Sequence, residues 1–289
     1  MCPCGAAVRR FFVIVTPWEN IVDLFKALVL GIVQGLTEFL PISSSGHLVI
    51  GAELLDFRQQ GVVFEVCLHM GTLLSVLLVF RREIWAMSTA PFQYMRGERS
   101  VQILQNLRWD LYVLISLVPA VFVGLFLKDS IESVFASLPL VFFMLSITGV
   151  MMIASGFLPP RNVLLQGRHA FIIGCAQALA ILPGLSRSGS TIFAGMALGI
   201  DRQAVARFSF IMSIPAICGA MVLQVEELMT NPPSAESLGN IAVGTTTAAM
   251  TGYFAIVLLL DIVRRNRLQW FGYYCLAVSF AGAGYLFMS

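Results

Sequence analysis

Six apolar segments of membrane-spanning length constrain this chain more than any other feature of its sequence. They are 17 to 22 residues long, and a helix needs about 20 mostly apolar residues to cross the hydrocarbon core of a bilayer. Only 12% of the residues are charged, whereas soluble domains have about 25%. The sequence therefore predicts an all-α polytopic membrane protein with six transmembrane helices. These are residues 62–80, 111–127, 138–158, 205–224, 241–262 and 269–288.

Two further pairs of apolar segments are too short to cross and are interrupted by polar turns. Residues 24–40 and 46–55 flank a turn that contains three serines, and residues 170–183 and 189–200 flank a turn that contains Arg187. Non-helical backbone at membrane depth must be satisfied by protein, water or ligand. We therefore predict two re-entrant helix–loop–helix pairs.

The two interrupted pairs are similar when the chain is shifted by 143 residues. Six of the sixteen positions from residue 31 to residue 46 are then identical, without a gap. The identical pairs are Gly31 and Gly174, Gln34 and Gln177, Leu36 and Leu179, Ser43 and Ser186, Ser45 and Ser188, and Gly46 and Gly189. Three predicted spans follow each interrupted pair, and because three is odd, the second half enters the membrane from the opposite side. Such inverted-topology repeats are typical of transporters, whose broken helices meet near the bilayer midplane.

The repeat divides the chain into four parts. Residues 1–20 form an N-terminal extension, residues 21–158 the first repeat, residues 159–168 a linker and residues 169–289 the second, inverted repeat. Each repeat is predicted to contain one re-entrant pair and three spans.

Arginines are concentrated in alternate loops of this predicted topology. Loops 81–110, 159–168 and 263–268 each contain two or more arginines, whereas loops 128–137 and 225–240 contain one lysine between them. Cytoplasmic loops of membrane proteins carry an excess of lysine and arginine. We therefore expect the arginine-containing loops in the cytoplasm and the first re-entrant pair to enter from the outside. The two arginines of the N-terminal extension disagree with this orientation.

The first polar turn places ionisable and hydroxyl groups inside apolar sequence. Gln34 and Glu38 are four residues apart and share one helix face. A charge at membrane depth is costly, so it usually faces a polar cavity and marks a functional site. Three serines, Gly46 and a new helix start follow, and such backbone suits an anion. His47 ends the motif.

The second polar turn offers the same groups together with a guanidinium. Arginine binds phosphate through two parallel hydrogen bonds, and the pairing strengthens where water is scarce. The two turns therefore predict a binding site for a phosphate group at membrane level. The residues expected to bind it beside Arg187 are Ser43, Ser45, Gly46, Ser186, Ser188, Gly189 and Thr191.

Several of these residues also have a structural interpretation. Hydroxyl groups in apolar helices usually form hydrogen bonds with the backbone of their own helix. For Ser45, Ser188 and Thr191 this interpretation carries the same weight as phosphate binding. Glu38 and Arg187 would also be compatible with a purely structural ion pair.

Glu65 and His69 form a second i, i+4 pair of polar residues, in the predicted span 62–80. They have the chemistry to join the site, but we favour a polar contact between helices.

Two sequence motifs resemble the signatures of a known enzyme family. Gln34 to His47 reads Gln-Gly-Leu-Thr-Glu-Phe-Leu-Pro-Ile-Ser-Ser-Ser-Gly-His, and Pro183 to Thr191 reads Pro-Gly-Leu-Ser-Arg-Ser-Gly-Ser-Thr. Both resemble the motifs of the bacterial undecaprenyl-diphosphate phosphatase family, integral-membrane enzymes linked to bacitracin resistance. The resemblance implies hydrolysis of undecaprenyl diphosphate to the monophosphate and inorganic phosphate, which recycles the lipid carrier of cell-wall synthesis. It also implies a location in the bacterial plasma (inner) membrane, with the active site open to the periplasm or outside.

The resemblance implies roles for four residues. Glu38 is the family carboxylate and Ser44 the candidate nucleophile. His47 is the family histidine, and Arg187 grips the phosphate. Either Ser44 attacks the terminal phosphorus, activated by His47 or Glu38, or one of those two activates water. The sequence does not choose between these mechanisms.

The family also implies a divalent cation, Mg²⁺ or Ca²⁺, which we expect at Gln34 and Glu38. Many members have glutamate where this chain has Gln34. Glutamine ligates a hard cation through its carbonyl oxygen but adds no charge. We therefore expect the substrate's own phosphates to supply the missing anionic ligands.

A secondary transporter or a lipid flippase is the alternative function, because the inverted repeat is shared with transporters and a fold does not determine a function. The expected partners are a polyprenyl diphosphate lipid and membrane lipids, with a homodimer left open. The chain has a net charge of +2 and no basic domain, so nothing indicates nucleic acid.

Overall fold

The structure is a computed structural model that describes residues 17–55, 61–126, 137–159, 161–223, 229 and 235–288. Within these ranges the chain forms eleven α-helices and no strand, apart from one isolated bridge between Val163 and Ile200. The helices are α1 (Pro17–Phe39), α2 (Ser44–Leu54), α3 (Gly61–Val79), α4 (Arg81–Met95), α5 (Val101–Phe126), α6 (Leu138–Ser155), α7 (Gly167–Leu179), α8 (Arg187–Ala197), α9 (Arg202–Leu223), α10 (Ala235–Arg264) and α11 (Gln269–Met288).

Four helices, α5, α6, α9 and α10, are long and apolar enough to cross a membrane. Helices α3 and α4 meet at a bend of 81° and form a fifth candidate if they are counted as one span. The prediction of an all-helical protein with several helices able to span a membrane is thereby confirmed for the described residues.

The region between the first two predicted spans is largely helical, so the prediction of a loop over residues 81–110 is wrong. Helix α4 occupies its first half, and α5 begins at Val101, ten residues before the predicted span. Charged side chains mark the boundary of the apolar layer, but they do not end a helix. The helix keeps its internal backbone hydrogen bonds when it extends beyond that layer into water.

Glycines allow helices from the two halves of the chain to approach closely. Helix α1 packs along α10, and a Cβ added to Gly31 would lie 2.5 Å from the carbonyl oxygen of Gly244. Helix α7 packs along α5 in the same way, since a Cβ on Gly174 would lie 2.3 Å from the carbonyl oxygen of Ser116. Small residues at such crossings are typical of membrane helices. Gly31 and Gly174 are separated by the 143-residue shift of the sequence repeat.

Aromatic side chains fill the interior next to the first polar turn. Phe39 and Phe210 are buried, and their rings meet edge to face with centroids 5.7 Å apart. Phe80, at the bend between α3 and α4, lies 5.8 Å from the ring of Phe210. These contacts fix the end of α1 against α9 and therefore set the position of Glu38.

Both interrupted helix pairs are present, with α1 and α2 separated at residues 40–43 and α7 and α8 separated at residues 180–186. Helix α1 has 23 residues and is longer than the predicted arm. Residues 1–16, most of the loop 128–137 and residues 224–228 and 230–234 lie outside the described residues. Residues 17–20 of the predicted extension are the first turn of α1, and residues 235–240 of the predicted loop 225–240 are the start of α10. For the rest of the extension and most of the two arginine-free loops, the sequence interpretation stays a prediction.

Candidate active site

The first polar turn is held by hydrogen bonds to Ser43, whose backbone is left-handed with φ 68°. The Oγ atom of Ser43 accepts from the amide of Gly46, and its carbonyl oxygen accepts from the amide of His47. Non-glycine residues rarely adopt positive φ, and such strain is found preferentially at functional sites. The result is that α2 begins at Ser44, directly beside the end of α1.

The second polar turn is built on the same plan. Ser186 caps α8, with its Oγ accepting from the amide of Gly189 at 3.1 Å. Its own amide donates to Thr148 Oγ1 on α6. Gly184, with φ 91°, makes the tight turn, and a Cβ there would lie 2.2 Å from the carbonyl oxygen of Val141. Helix α8 therefore begins at Arg187.

Ser44 and Arg187 occupy equivalent positions, since each is the first residue of a helix that follows a serine cap. The two turns touch: Ser188 Oγ donates to the carbonyl oxygen of Leu40 at 3.2 Å. The first amides of a helix have no intrahelical acceptor, and the helix dipole is positive at this end. Two helix N-termini thus meet, which makes the space between them a site for an anion.

Glu38 is the centre of the polar network and is only 6% exposed. Its Oε1 accepts from Arg187 across a sequence separation of 149 residues. Its Oε2 accepts from Ser44 Oγ at 2.7 Å and from Gln34 Nε2 at 3.0 Å. A buried charge needs both a counter-charge and hydrogen bonds, and Glu38 has both.

Glu38, Ser44 and Arg187 line a chamber of about 230 Å³. Its polar lining residues are Glu38, Ser43, Ser44, Ser45, His69, Ser186 and Arg187. Its apolar lining residues are Val66, Ala180, Ile181, Leu185, Ala216, Ile217, Ala220 and Met221. The chamber therefore suits a molecule with an anionic head and a hydrocarbon tail.

His69 on α3 is the imidazole that lies in this chamber. Its Nδ1 is 3.0 Å from Gln34 Nε2 and 3.5 Å from Glu38 Oε2. For this residue the sequence predicts a polar contact between helices. That contact exists, since it joins α3 to α1, but it is part of the chamber. Helical spacing showed that His69 shares a face with Glu65, but not which helix the face meets.

His47 is engaged elsewhere. Its Nδ1 is 2.8 Å from the carbonyl oxygen of Ser43, and its Nε2 is 2.9 Å from the hydroxyl of Tyr274 on α11. The imidazole and the phenol ring of Tyr274 are stacked, with centroids 5.6 Å apart. His47 thus braces the first turn against the last helix. No motif or helical spacing points to Tyr274, because it lies 227 residues from His47 in the sequence.

Four of the predicted phosphate-binding residues support the turns and do not line the chamber. Gly46 and Gly189 donate to the serine caps, and Ser188 bonds to the first turn. Thr191 Oγ1 lies 2.9 Å from the carbonyl oxygen of Arg187 and 2.6 Å from Ser209 Oγ on α9. For Ser188 and Thr191 the structural interpretation thus describes the contacts seen.

The described residues offer few ligands for a divalent cation. They contain no cluster of three His, Cys, Asp or Glu side chains placed to hold a metal ion. Gln34 Oε1 is buried, however, and no donor among the described residues reaches it. Gln34 turns its Nε2 toward Glu38, so Gln34 Oε1 and the Glu38 carboxylate are separate oxygen ligands, and Ca²⁺ or Mg²⁺ takes at least six. The chain therefore fits such a cation only if water or a bound phosphate completes its coordination.

Comparison with known proteins gives consistent matches along most of the chain. The family described as "Bacitracin resistance protein BacA" matches residues 27–281. A relative from Halothermothrix orenii, named undecaprenyl-diphosphatase, is 40% identical over 257 residues, which are 88% of this chain and 94% of the relative. Relatives of the same name from Rhodopirellula baltica and Desulfosudis oleivorans are 41% and 42% identical. They cover 88% and 86% of this chain, and 95% and 94% of the respective relative.

Proposed function

This chain belongs to the bacitracin resistance protein BacA family and is an undecaprenyl-diphosphatase, and we propose that it hydrolyses undecaprenyl diphosphate in the chamber between its two serine turns. One observation carries the proposal. The ion pair between Glu38 and Arg187 brings together residues from the two polar motifs at two converging helix N-termini. A purely structural ion pair would not require three serines and a left-handed turn around it.

The diphosphate head binds at the polar lining residues of the chamber. Arg187 exchanges its bond to Glu38 for a bond to the terminal phosphate, which arginine holds bidentately. The amides that begin α2 and α8 donate to the remaining oxygens and stabilise the charge that develops during transfer. The apolar lining residues, half of which belong to α9, receive the first units of the polyprenyl tail.

Ser44 is the nucleophile in this proposal, and Glu38 is its general base. The support is the hydrogen bond of 2.7 Å from Ser44 Oγ to Glu38 Oε2, which is the direction a proton must take when the serine attacks. A bond forms between Ser44 Oγ and the terminal phosphorus, and the bond from that phosphorus to undecaprenyl phosphate breaks. Glu38 passes the proton of Ser44 to the departing undecaprenyl phosphate and becomes a base again. It then takes a proton from water, whose oxygen attacks the phosphorus of the phosphoserine; the bond from phosphorus to Ser44 Oγ breaks, Glu38 returns the proton to Ser44 Oγ, and inorganic phosphate is released. His47 positions the turn that presents Ser44.

Gln34 Oε1 and Glu38 would hold a divalent cation, Mg²⁺ or Ca²⁺, and phosphate oxygens of the substrate would supply the negative charge that Gln34 lacks. When bound, the cation neutralises charge on the transferred phosphoryl group.

The arrangement in the membrane is part of the proposal. The two repeats, residues 21–158 and 169–289, enter the bilayer in opposite directions, each with one re-entrant pair and three spans. The equivalent caps at Ser43 and Ser186 support this symmetry, and α11 supplies the sixth span, since it has 20 residues and no Asp, Glu, Lys or Arg. The arginine distribution supports a chamber that opens to the periplasmic or outer face of the bacterial inner membrane.

The test is phosphate release from a polyprenyl diphosphate by the purified protein in detergent, with and without EDTA. Arg187→Ala is expected to lower turnover by at least about a hundredfold, as loss of a group that stabilises the transition state does. Arg264→Ala is the matched control, because that arginine is exposed and bonds to Asp261 on its own helix. EDTA is expected to reduce turnover of the wild-type protein.

Two outcomes would contradict the proposal. Full activity in Arg187→Ala would remove Arg187 from the site. No phosphate release by the wild-type protein would favour the transporter or flippase, which moves its lipid without cleaving it.

A further inference from the structure

One side chain of the chamber has no part in the reaction described above. His69 lies on α3, and 37% of its side chain is exposed. Its Nδ1 is turned to Gln34, which is fully buried, and its ring lines the chamber together with Ser44 and Arg187. The part of the ring that remains accessible is therefore the edge away from Gln34.

The hydrogen bonds around Gln34 determine which ring nitrogen of His69 carries the proton. Gln34 Nε2 has two hydrogens, and it lies 3.0 Å from Glu38 Oε2 and 3.0 Å from His69 Nδ1. The amide cannot be turned over, because its oxygen would then face a carboxylate oxygen. His69 Nδ1 thus accepts from Gln34, and a neutral imidazole that accepts at Nδ1 carries its hydrogen at Nε2.

We infer that His69 is a substrate-contacting residue whose Nε2–H donates a hydrogen bond to the bound diphosphate, while Gln34 holds the ring in place. This inference rests on the proposed function, because it takes the anion in the chamber to be the diphosphate head. It adds a neutral donor from α3 to a site whose other donors come from the two polar turns and Arg187. The head is then held from α2, α3 and α8 at once.

The same geometry explains why glutamine, and not glutamate, fits at position 34 between Glu38 and His69. A glutamate there would present only acceptors to His69 Nδ1 and would place a second negative charge beside buried Glu38. Glutamine donates to both neighbours at the same time. Gln34 and His69 therefore act as a pair, and substitutions at the two positions should not be additive.

Three variants of His69 separate its two ring nitrogens. His69→Asn keeps a polar group near the position of Nδ1 and removes Nε2, whereas His69→Gln reaches the position of Nε2 with an amide N–H. His69→Leu removes both. Met70→Leu is the control, since Met70 is on the same helix, is 43% exposed and does not line the chamber.

The experiment measures kcat and KM for phosphate release and the inhibition constant of inorganic pyrophosphate, used as a probe of head-group binding. Loss of one hydrogen bond to a charged group raises a dissociation constant by about tenfold to a hundredfold. We expect His69→Asn and His69→Leu to lose about tenfold or more in kcat/KM and to raise the pyrophosphate inhibition constant in proportion. His69→Gln is expected to recover most of both losses, and Met70→Leu to match the wild type.

Thermal unfolding in detergent shows whether each variant is folded. A His69→Asn protein with wild-type kcat/KM and wild-type pyrophosphate inhibition would overturn the inference, since only Nε2 is missing. A His69→Gln protein no better than His69→Leu would also overturn it. Neither result would affect the proposed function, which instead depends on phosphate release by the wild type and its loss in Arg187→Ala.

Discussion

At the scale of single residues, the site depends on one carboxylate. Glu38 bonds to Arg187, Ser44 and Gln34, and it is the point where the two halves of the chain meet. Its two oxygens have different partners: Oε1 accepts from Arg187, the proposed phosphate ligand, and Oε2 accepts from Ser44, the proposed nucleophile. A change at this residue should therefore affect both the chemistry and the stability of the fold.

We expect Glu38→Gln to lower the rate of phosphate release by at least about a hundredfold, because it removes a general base. It should also lower the free energy of unfolding by about 1–3 kcal/mol, because it leaves the guanidinium of Arg187 without a counter-charge. The rate is measured by phosphate release and the stability by thermal unfolding in detergent.

The double variant Glu38→Gln with Arg187→Gln separates the two effects. It should regain stability relative to Glu38→Gln, since no unpaired charge remains, and it should stay inactive. A Glu38→Gln protein with wild-type turnover would refute the role of the carboxylate as base.

Ser44 and Ser45 are neighbours with different surroundings and form a matched pair for mutation. Only Ser44 Oγ donates to Glu38, while Ser45 Oγ lies 3.3 Å from Ser43 Oγ. We expect Ser44→Ala to lower turnover by at least about a thousandfold, as loss of a nucleophile does. Ser45→Ala should cost less than about tenfold, the scale of one neutral hydrogen bond.

Mass spectrometry of the acid-quenched reaction tests the same point directly. A phosphorylated peptide that contains Ser44 is expected in the wild type during turnover. Near-normal turnover by Ser44→Ala would show instead that water attacks the phosphorus.

At the scale of helices and turns, the second polar turn depends on one glycine. Gly184 has positive φ, and its α-hydrogen faces the carbonyl oxygen of Val141 on α6. Gly184→Ala should lower the free energy of unfolding by about 1–3 kcal/mol from backbone strain. It should also lower turnover, because Ser186 and Arg187 follow the turn directly. Gly219→Ala is the control, since a Cβ at that position of α9 would meet nothing within 4 Å.

Thermal unfolding and phosphate release of these two alanine variants provide the measurement. Equal stability of Gly184→Ala and Gly219→Ala would show that the turn relaxes without cost.

The helices also show what sequence periodicity does and does not determine. The apolar segments located α3, α6, α9 and α10, because burial in hydrocarbon requires continuous apolar sequence. They did not locate α4 or the first ten residues of α5, because helices continue into water with polar residues. The family membership and the phosphatase function predicted from two motifs are confirmed by the comparisons.

Within the site, the sequence predicted the residues that belong to short motifs. It did not predict the contacts that form when distant helices pack together. The juxtaposition of Glu38 and Arg187 followed from the repeat. The orientation of His47 toward Tyr274, and of His69 toward Gln34, depends on which helix faces which. Such contacts between distant segments cannot be derived from spacing within one helix.

At the scale of the whole molecule, neither half of the chain contains a complete site. Helix α1 packs on α10 and helix α7 on α5, so each half covers the interrupted pair of the other. We expect fragments 1–160 and 161–289 to be inactive when expressed separately, because each lacks either Glu38 or Arg187. Co-expression should restore phosphate release, since the interface between the halves is formed by close helix packing.

The measurement is phosphate release from membranes that contain one fragment or both, with both fragments confirmed by immunoblot. Activity in either fragment alone would contradict a chamber shared between the halves. Co-expressed fragments that carry Arg187→Ala serve as the inactive control.

The ion pair between Glu38 and Arg187 also has a consequence for product release. In the proposed mechanism, an anion that binds Arg187 displaces a carboxylate of the same chain, which therefore stays close to Arg187. A diphosphate carries more negative charge than inorganic phosphate, so we expect it to compete with Glu38 more effectively. Once water has released inorganic phosphate from Ser44, Glu38 is expected to bond to Arg187 again and to displace the smaller anion. We therefore expect inorganic phosphate to be a weak product inhibitor.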